Sequence, residues 1–247
     1  SGIGQWFRSI TVGSGQGDGY PTSIVGSSVN RGNFMTLDKN VVTVSDTALT
    51  VMNSSANQSI NRQHSFNSPV LKATSGKYLI YNLGGNGFKI EGSSNTIYSG
   101  NTSNNIIAGD IAGSGRYALV TETQGYPSSL SVYLTDNTVQ YKYDFSEYYV
   151  TDISLNSDGT RAAVSGITAK DGGIVSAVYI FDFSNPEPIA ILTYNEVLME
   201  KVEYMDNGTV VAIGDTTTSM INGTTGEKVD YNYQSRQMTD YAIDKNR

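Results

Sequence analysis

Residues 155–164 read Leu155-Asn156-Ser157-Asp158-Gly159-Thr160-Arg161-Ala162-Ala163-Val164: one apolar run closes, a polar turn follows, and a second apolar run opens. Asp-Gly supplies the positive φ that a tight hairpin demands, and the flanking residues suit strands. The same unit returns at Leu37-Asp38-Lys39-Asn40-Val41, Thr74-Ser75-Gly76-Lys77, Ile111-Ala112-Gly113-Ser114-Gly115-Arg116-Tyr117 and Met205-Asp206-Asn207-Gly208-Thr209. A sixth copy opens at Tyr241-Ala242-Ile243-Asp244-Lys245-Asn246. Anchored on residues 40, 76, 115, 159, 208 and 246, the units follow one another at intervals of 36 to 49 residues. A period near 40 with about four strands per unit is that of propeller blades. The sequence therefore predicts an all-β fold, a β-propeller of four-stranded antiparallel blades, with five blades and the start of a sixth. The turns at Lys39-Asn40, Gly76, Gly115, Gly159 and Gly208 are expected on one side.

Each period parses into strands. The fourth unit gives an inner strand at residues 150–155, a second at 161–166, and outer strands at 175–182 and 189–194. Asn185-Pro186-Glu187-Pro188 forms a turn between the outer two, which proline keeps out of the sheet. The longer intervals are ascribed to loops such as residues 168–173. The third unit gives strands at 106–111, 117–122, 130–135 and 138–143. Residues 13–19, Gly-Ser-Gly-Gln-Gly-Asp-Gly, have the composition of a flexible linker. The chain thus divides into a linker or juxtamembrane segment, 1–19, and a propeller domain, 20–247. Residues 22–26 are a candidate closing strand. Residues 239–243 either close a ring of five blades or begin a sixth blade of a larger propeller; the larger propeller is the preferred expectation.

Composition narrows the function. The 16 Lys and Arg against 23 Asp and Glu give a net charge of −7, and the cations form no run, so neither phosphate backbones nor anionic lipid are suitable partners. The absence of cysteine removes disulfides, thiolate zinc sites, iron–sulfur clusters and a cysteine nucleophile. The single His64 removes His-pair zinc motifs. No cofactor or metal is expected.

Several stretches carry a family resemblance: Gly19-Tyr20-Pro21, Arg62-Gln63-His64, Tyr81-Asn82-Leu83-Gly84-Gly85-Asn86-Gly87-Phe88, Tyr148-Tyr149-Val150-Thr151-Asp152, Ser176-Ala177-Val178-Tyr179-Ile180-Phe181-Asp182-Phe183 and Val210-Val211-Ala212-Ile213-Gly214-Asp215. From about residue 13 onward the chain resembles an uncharacterised bacterial, clostridial-type family of unknown function, itself similar to WD-repeat and YVTN-type propellers. The resemblance implies a single-pass membrane anchor ahead of Ser1, residues 5–10 beside the membrane, the propeller outside the cell, and a longer chain. It carries over no catalytic residue.

The remaining candidates are carboxylates and rings. Asp110, Asp152 and Glu203 lie in or beside the inner strands of three successive blades, at 5, 7 and 5 residues before the turn glycine. Paired acids held about 5–9.5 Å apart can cleave glycosides; the plain alternative is that they cap strand ends and solvate the channel mouth. The unequal offsets suggest that Asp152 faces differently. Tyr141, Tyr143 and Phe145 alternate and so share one strand face, which suits blade packing better than sugar stacking. Tyr148 and Tyr149 are expected to be exposed. His64, read in an outer strand, lacks any nucleophile elbow and is taken as structural. The Asp and Asn runs near 156 and 206 lack the spacing of calcium loops. The function expected is a non-catalytic cell-surface propeller that binds or scaffolds a protein or glycan, with self-association at an open seam as a further possibility. The alternatives are a glycan-active hydrolase using the inner-strand acids, or a small-ligand sensor.

Overall fold

The structure, a computed structural model, describes residues 29–233. These form five consecutive four-stranded antiparallel sheets, each a meander in chain order, the blades of a β-propeller. The chain divides into two compact units at Ile106/Ile107. The expectations for residues 5–10, 13–19, 22–26 and 239–243 lie outside the described residues. Among the described residues no helix is long and apolar enough to cross a membrane.

In the first unit, blade 1 comprises β1 (Val29–Leu37), β2 (Asn40–Ser45), β3 (Ala48–Met52) and β4 (Gln58–Gln63). Blade 2 comprises β5 (Pro69–Thr74), β6 (Lys77–Asn82), β7 (Gly87–Gly92) and β8 (Thr96–Asn101). Alternation aims Val42, Val44, Leu49 and Val51 of blade 1 at Leu71, Tyr78 and Ile80 of blade 2, and this aliphatic layer excludes water. The β1–β2 turn differs slightly from expectation. Asp38 and Lys39 take the positive φ values, 50° and 65°, while Asn40 already opens β2 and pairs with Leu37. A type I′ turn has both central residues left-handed, so its centre falls one residue earlier.

The second unit carries blade 3, with β9 (Ile106–Ile111) starting at the boundary, then β10 (Tyr117–Thr123), β11 (Tyr126–Tyr133) and β12 (Val139–Phe145). Blade 4 is β13 (Tyr149–Leu155), β14 (Arg161–Lys170), β15 (Gly173–Asp182) and β16 (Ala190–Asn195). Blade 5 is β17 (Met199–Tyr204), β18 (Thr209–Gly214), β19 (Thr217–Asn222) and β20 (Lys228–Asn232). The inner-strand turns of blades 3 and 4 share one end, as the repeat requires: Ser114 donates from its N–H to the Ser157 carbonyl (3.0 Å) and from its hydroxyl to the Asp158 carbonyl (2.8 Å).

Residues 168–173 are not an inserted loop. β14 and β15 pair without a break from Arg161↔Asp182 to Lys170↔Gly173, and only Asp171 and Gly172, at φ 51° and 80°, make the turn. The extra residues of this blade lengthen a hairpin instead. Ile167, Thr168 and Ala169 alternate well enough against Ile174, Val175 and Ser176 to continue the ladder. Residues 185–188 stay outside the sheet, as the prolines dictate.

The interface of blades 3 and 4 is aromatic. Tyr141, Tyr143 and Phe145 share one face of β12, as their spacing predicts, and meet Tyr148, Tyr179 and Phe181. Phe145 is fully buried, with its ring edge-on to Tyr143 and Tyr179 at 5.0 Å each. Tyr148 corrects the expectation of exposure: it is buried here, while Tyr149 is 60% exposed. Once β13 starts at Tyr149, the residue before it turns into the gap between blades and the next one turns out.

Candidate functional site

The three candidate carboxylates lie where their spacing puts them, one on the inner strand of each blade of the second unit, and all are buried. Two of them bind backbone of the next blade. The Leu155 N–H of β13 donates to Asp110 Oδ2 of β9 at 2.7 Å, and the Val202 N–H of β17 donates to Asp152 Oδ2 of β13 at 3.1 Å. An edge N–H facing a neighbouring blade needs an acceptor once water is excluded, and these carboxylates provide it.

The contacts repeat at fixed positions. Counting back from the last inner-strand residue, the penultimate position is Asp110 in blade 3, Ser154 in blade 4 and Glu203 in blade 5. Ser154 Oγ accepts the Tyr204 N–H at 2.9 Å, the counterpart of the Asp110–Leu155 bond. Two residues earlier stands Asp152, whose counterpart in the first unit is Asn33. Asn33 is buried; its Oδ1 accepts the Leu71 N–H (2.9 Å) and its amide donates to the Pro69 carbonyl (2.5 Å). The offset of 7 for Asp152 is therefore not a change of face. It differs from 5 by one strand period, so Asp152 sits one rung along the same face.

A third rung comes from serines that sequence reading passed over. Ser128 Oγ of β11 accepts the Val150 N–H (3.1 Å), and Ser176 Oγ of β15 accepts the Met199 N–H (3.0 Å) while donating to the Val197 carbonyl (2.5 Å). Their sequence signal is no more than a serine in a third strand, among other serines in β11. Thr151 adds a bond from its hydroxyl to the Met199 carbonyl at 2.9 Å.

Among the described residues no three His, Asp or Glu side chains come together as a metal-binding group. His64 lies one residue past β4, not within an outer strand. Its Nε2 faces the Ser45 carbonyl at 2.8 Å, which can only accept, so Nε2 carries the proton and Nδ1 accepts the Phe66 N–H at 3.1 Å. Both ring nitrogens thus serve the connection between blades 1 and 2.

The long hairpin of blade 4 borders an open cleft. A volume of about 490 Å³ is lined by Tyr148, the tip from Lys170 to Val175, and Thr193, Asn195 and Glu196 of the neighbouring strand end. Ile174 is 46% exposed at the tip, and Glu196, held at φ 56°, donates its N–H to the Ile174 carbonyl (2.8 Å). The cleft offers an ammonium, two carboxylates, an amide, a hydroxyl and an aromatic edge, a set suited to a polar ligand with an apolar face. None of Asp110, Asp152 and Glu203 lines it.

Solved structures resemble the chain in fold. Hydrazine synthase of Kuenenia stuttgartiensis superposes with a TM-score of 0.59 at 10% identity, over 89% of this chain and 70% of that one. The Pan2 WD40 domain of Neurospora crassa gives 0.59 at 9%, over 83% and 65%, and Hsv2 of Kluyveromyces lactis gives 0.55 at 12%, over 85% and 64%. The chain spans about two thirds of the length of these structures, and at such identities the likeness is one of fold. Among curated protein sequences none matches it. Residues 18–243 match a family described as one of unknown function, DUF5711, and the chain belongs to that family.

Proposed function

We propose that this chain is a non-catalytic propeller that binds or scaffolds a protein or glycan partner. The observation that carries the reading is the long hairpin of blade 4, which extends β14 and β15 to ten residues each and borders an open, mixed-polarity cleft. Binding groups on a projecting element held by a rigid sheet are the usual way in which such folds act. The inner-strand acids support the same reading, since Asp110 and Asp152 already accept backbone N–H groups across blade interfaces. The propeller in this proposal faces the outside of the cell, on a membrane tether; the family resemblance supports that placement.

The test is a binding screen of the purified chain against immobilised glycans and cell-envelope fragments, beside turnover assays on chromogenic glycosides and esters. The expected outcome is saturable binding that weakens at least about tenfold in Asn195→Ala and Lys170→Ala, as for truncation of a central contact, with background turnover. Turnover abolished by Asp110→Asn or Glu203→Gln would overturn the proposal in favour of a hydrolase.

A further inference from the structure

The outer strand of each blade ends its sheet and keeps one unpaired edge, and such an edge is a template for another chain unless something blunts it. Among the described residues β4, β8, β12 and β20 are blunted. β4, β8 and β12 each slip register by one residue, at Ser59, Ile97 and Gln140, and β4 and β12 add Arg62, Lys142 and Asp144. β20 carries Lys228 and Asp230, paired with each other at 2.5 Å. β16 has neither device. Ala190-Ile191-Leu192-Thr193-Tyr194-Asn195 holds no charge, no glycine and no proline, and it pairs with β15 in unbroken register from Val175↔Asn195 to Ile180↔Ala190.

Register also tells which backbone groups of β16 are free. The Glu196 N–H donates to the Ile174 carbonyl, so these two form a hydrogen-bonded pair, and alternation makes Ser176↔Tyr194 and Val178↔Leu192 the next such pairs. Ile191, Thr193 and Asn195 fall between them and aim their N–H and C=O groups away from β15. The side chains divide likewise. Tyr194 is buried against blade 5, its hydroxyl donating to Ser219 Oγ at 2.7 Å, whereas Ile191 is 48% exposed and Thr193 and Asn195 are exposed with it. Acids stand at both ends of this edge. Glu187 lies exposed in the turn ahead of it, a turn held to blade 3 by the Tyr141 hydroxyl donating to the Pro186 carbonyl at 2.7 Å. Glu196 follows the strand and lines the cleft with Asp171, where Lys170 is the one cation.

We propose that β16 is a strand-addition edge whose occupant is an extended segment of a partner protein, β-branched along its middle and basic at each end. This rests on the binding reading above, in its protein form, and names the partner's chemistry. The edge runs roughly 20 Å over its six residues, so the basic ends flank a core of that length. Main-chain bonds to Ile191, Thr193 and Asn195 supply affinity, and the acids at the two ends select the charge. A second copy suits the edge less well. Antiparallel pairing of two β16 strands brings the Glu187 end of each against the Glu196 end of the other, and like charges across a ladder are destabilising.

The probe is the end-blocked peptide Lys-Val-Thr-Val-Thr-Val-Lys, with its Glu-ended counterpart as control, added to the unmodified chain and followed by amide hydrogen exchange at each residue. Without peptide the Ile191, Thr193 and Asn195 amides should exchange close to the free-peptide rate, while the Leu192 and Tyr194 amides stay protected. Saturating Lys-ended peptide should slow the first three by at least about tenfold. The Glu-ended peptide should bind several-fold more weakly at low salt, and the difference should vanish at high salt. Thr193→Pro deletes an outward N–H and spares the ladder to β15. It should weaken binding about tenfold, with the Leu155 amide still protected as the sign of an intact fold. Ile191→Lys, which puts a charge on the edge, should weaken it too and serves where the proline variant does not fold. Outward amides that neither peptide slows overturn the proposal, as does equal binding of the two peptides at low salt. Protection that arises without peptide and grows with protein concentration assigns the edge to a second copy and overturns it as well. The binding reading fails on a different result, turnover abolished by Asp110→Asn, so the two failures are distinguishable.

Discussion

The interface of blades 1 and 2 and that of blades 3 and 4 perform the same task with different chemistry. The first is a largely aliphatic layer of Val, Leu and Ile with one buried ring, Tyr78, tied by the amide of Asn33 and, further out, by Arg62 reaching across to Glu91 at 2.8 Å and to the Gly92 carbonyl at 2.6 Å. The second is a cluster of edge-to-face rings, tied by Asp110 and Ser128. One relies on branched side chains and a long ion pair, the other on large planar surfaces and short acceptors. What the two share is the rung geometry: an inner-strand N–H of one blade meets a polar side chain of the blade before it. The apolar filling differs between the two interfaces, whereas each keeps an acceptor on one of two adjacent rungs of the same face, Asn33 at the rung of Asp152 and Asp110 at the rung of Ser154. A buried edge N–H left without an acceptor pays its full desolvation cost, so each interface must supply one.

Four comparisons sharpen this contrast. Phe145→Ala should have the largest effect, costing about 3–5 kcal/mol by denaturant unfolding, because a fully buried ring leaves a cavity among neighbours fixed by their own strands. Ile80→Val in the aliphatic layer should cost only about 1 kcal/mol, since one methylene is lost. An equal cost at the two sites would mean that the buried ring of Phe145 contributes no more than a single methylene, and that the aromatic cluster does not hold this interface.

Arg62→Ala comes next. Among the described residues it leaves Glu91, 2% exposed in its side chain, with the Thr96 hydroxyl, and should cost about 3 kcal/mol, the low end for a broken buried pair because the guanidinium is 20% exposed. The double variant Arg62→Ala/Glu91→Gln should recover part of that loss. If it is no more stable than the single variant, the desolvated charge is not the cause.

Two turn glycines give a paired comparison. Gly208 sits at φ 86° with nothing within 4 Å of where a Cβ would be, so Gly208→Ala should cost about 1 kcal/mol, the left-handed penalty alone. Gly159, at φ 73°, would put its Cβ 2.7 Å from the Arg116 Cβ, so Gly159→Ala should cost roughly 1–3 kcal/mol more. Similar thermal midpoints for the two variants would show that the turns of blades 3 and 4 are not packed together.

The smallest effect is a pH dependence in the first unit. Burial pushes the His64 pKa below its ordinary 6.5, and the Nδ1 that accepts the Phe66 N–H would carry a proton in the charged form. The unfolded chain therefore binds the proton more readily. Stability from this group is complete above pH 6.5, declines as the pH falls below it, and is gone below the folded value. Denaturant midpoints at about pH 7.5 and about pH 5.5 should differ more in the parent than in His64→Gln. Equal differences would remove His64 from the account.

The blade series was legible from the sequence because a hairpin is local: Asp158-Gly159 and Asn207-Gly208 need nothing distant to form their turns, and alternation fixes which residues face inward. The aromatic face of β12 was legible for the same reason. The length of the β14–β15 hairpin was not, since 168–173 has the glycine and charge of a loop and becomes strand only because Thr168 and Ala169 find partners across a two-residue turn. Nor was the state of Tyr148, which depends on the residue at which β13 begins. The acids show the division most clearly. Their spacing located them on three successive inner strands, but an Asp in a strand looks the same whether it faces solvent, a substrate or a neighbouring backbone. Only the packing of one blade on the next, which removes water from the Leu155 and Val202 amides, gave Asp110 and Asp152 their partners. Turns and alternation are written into adjacent residues, whereas the need for an acceptor arises from a surface about 45 to 50 residues away and exists only after burial.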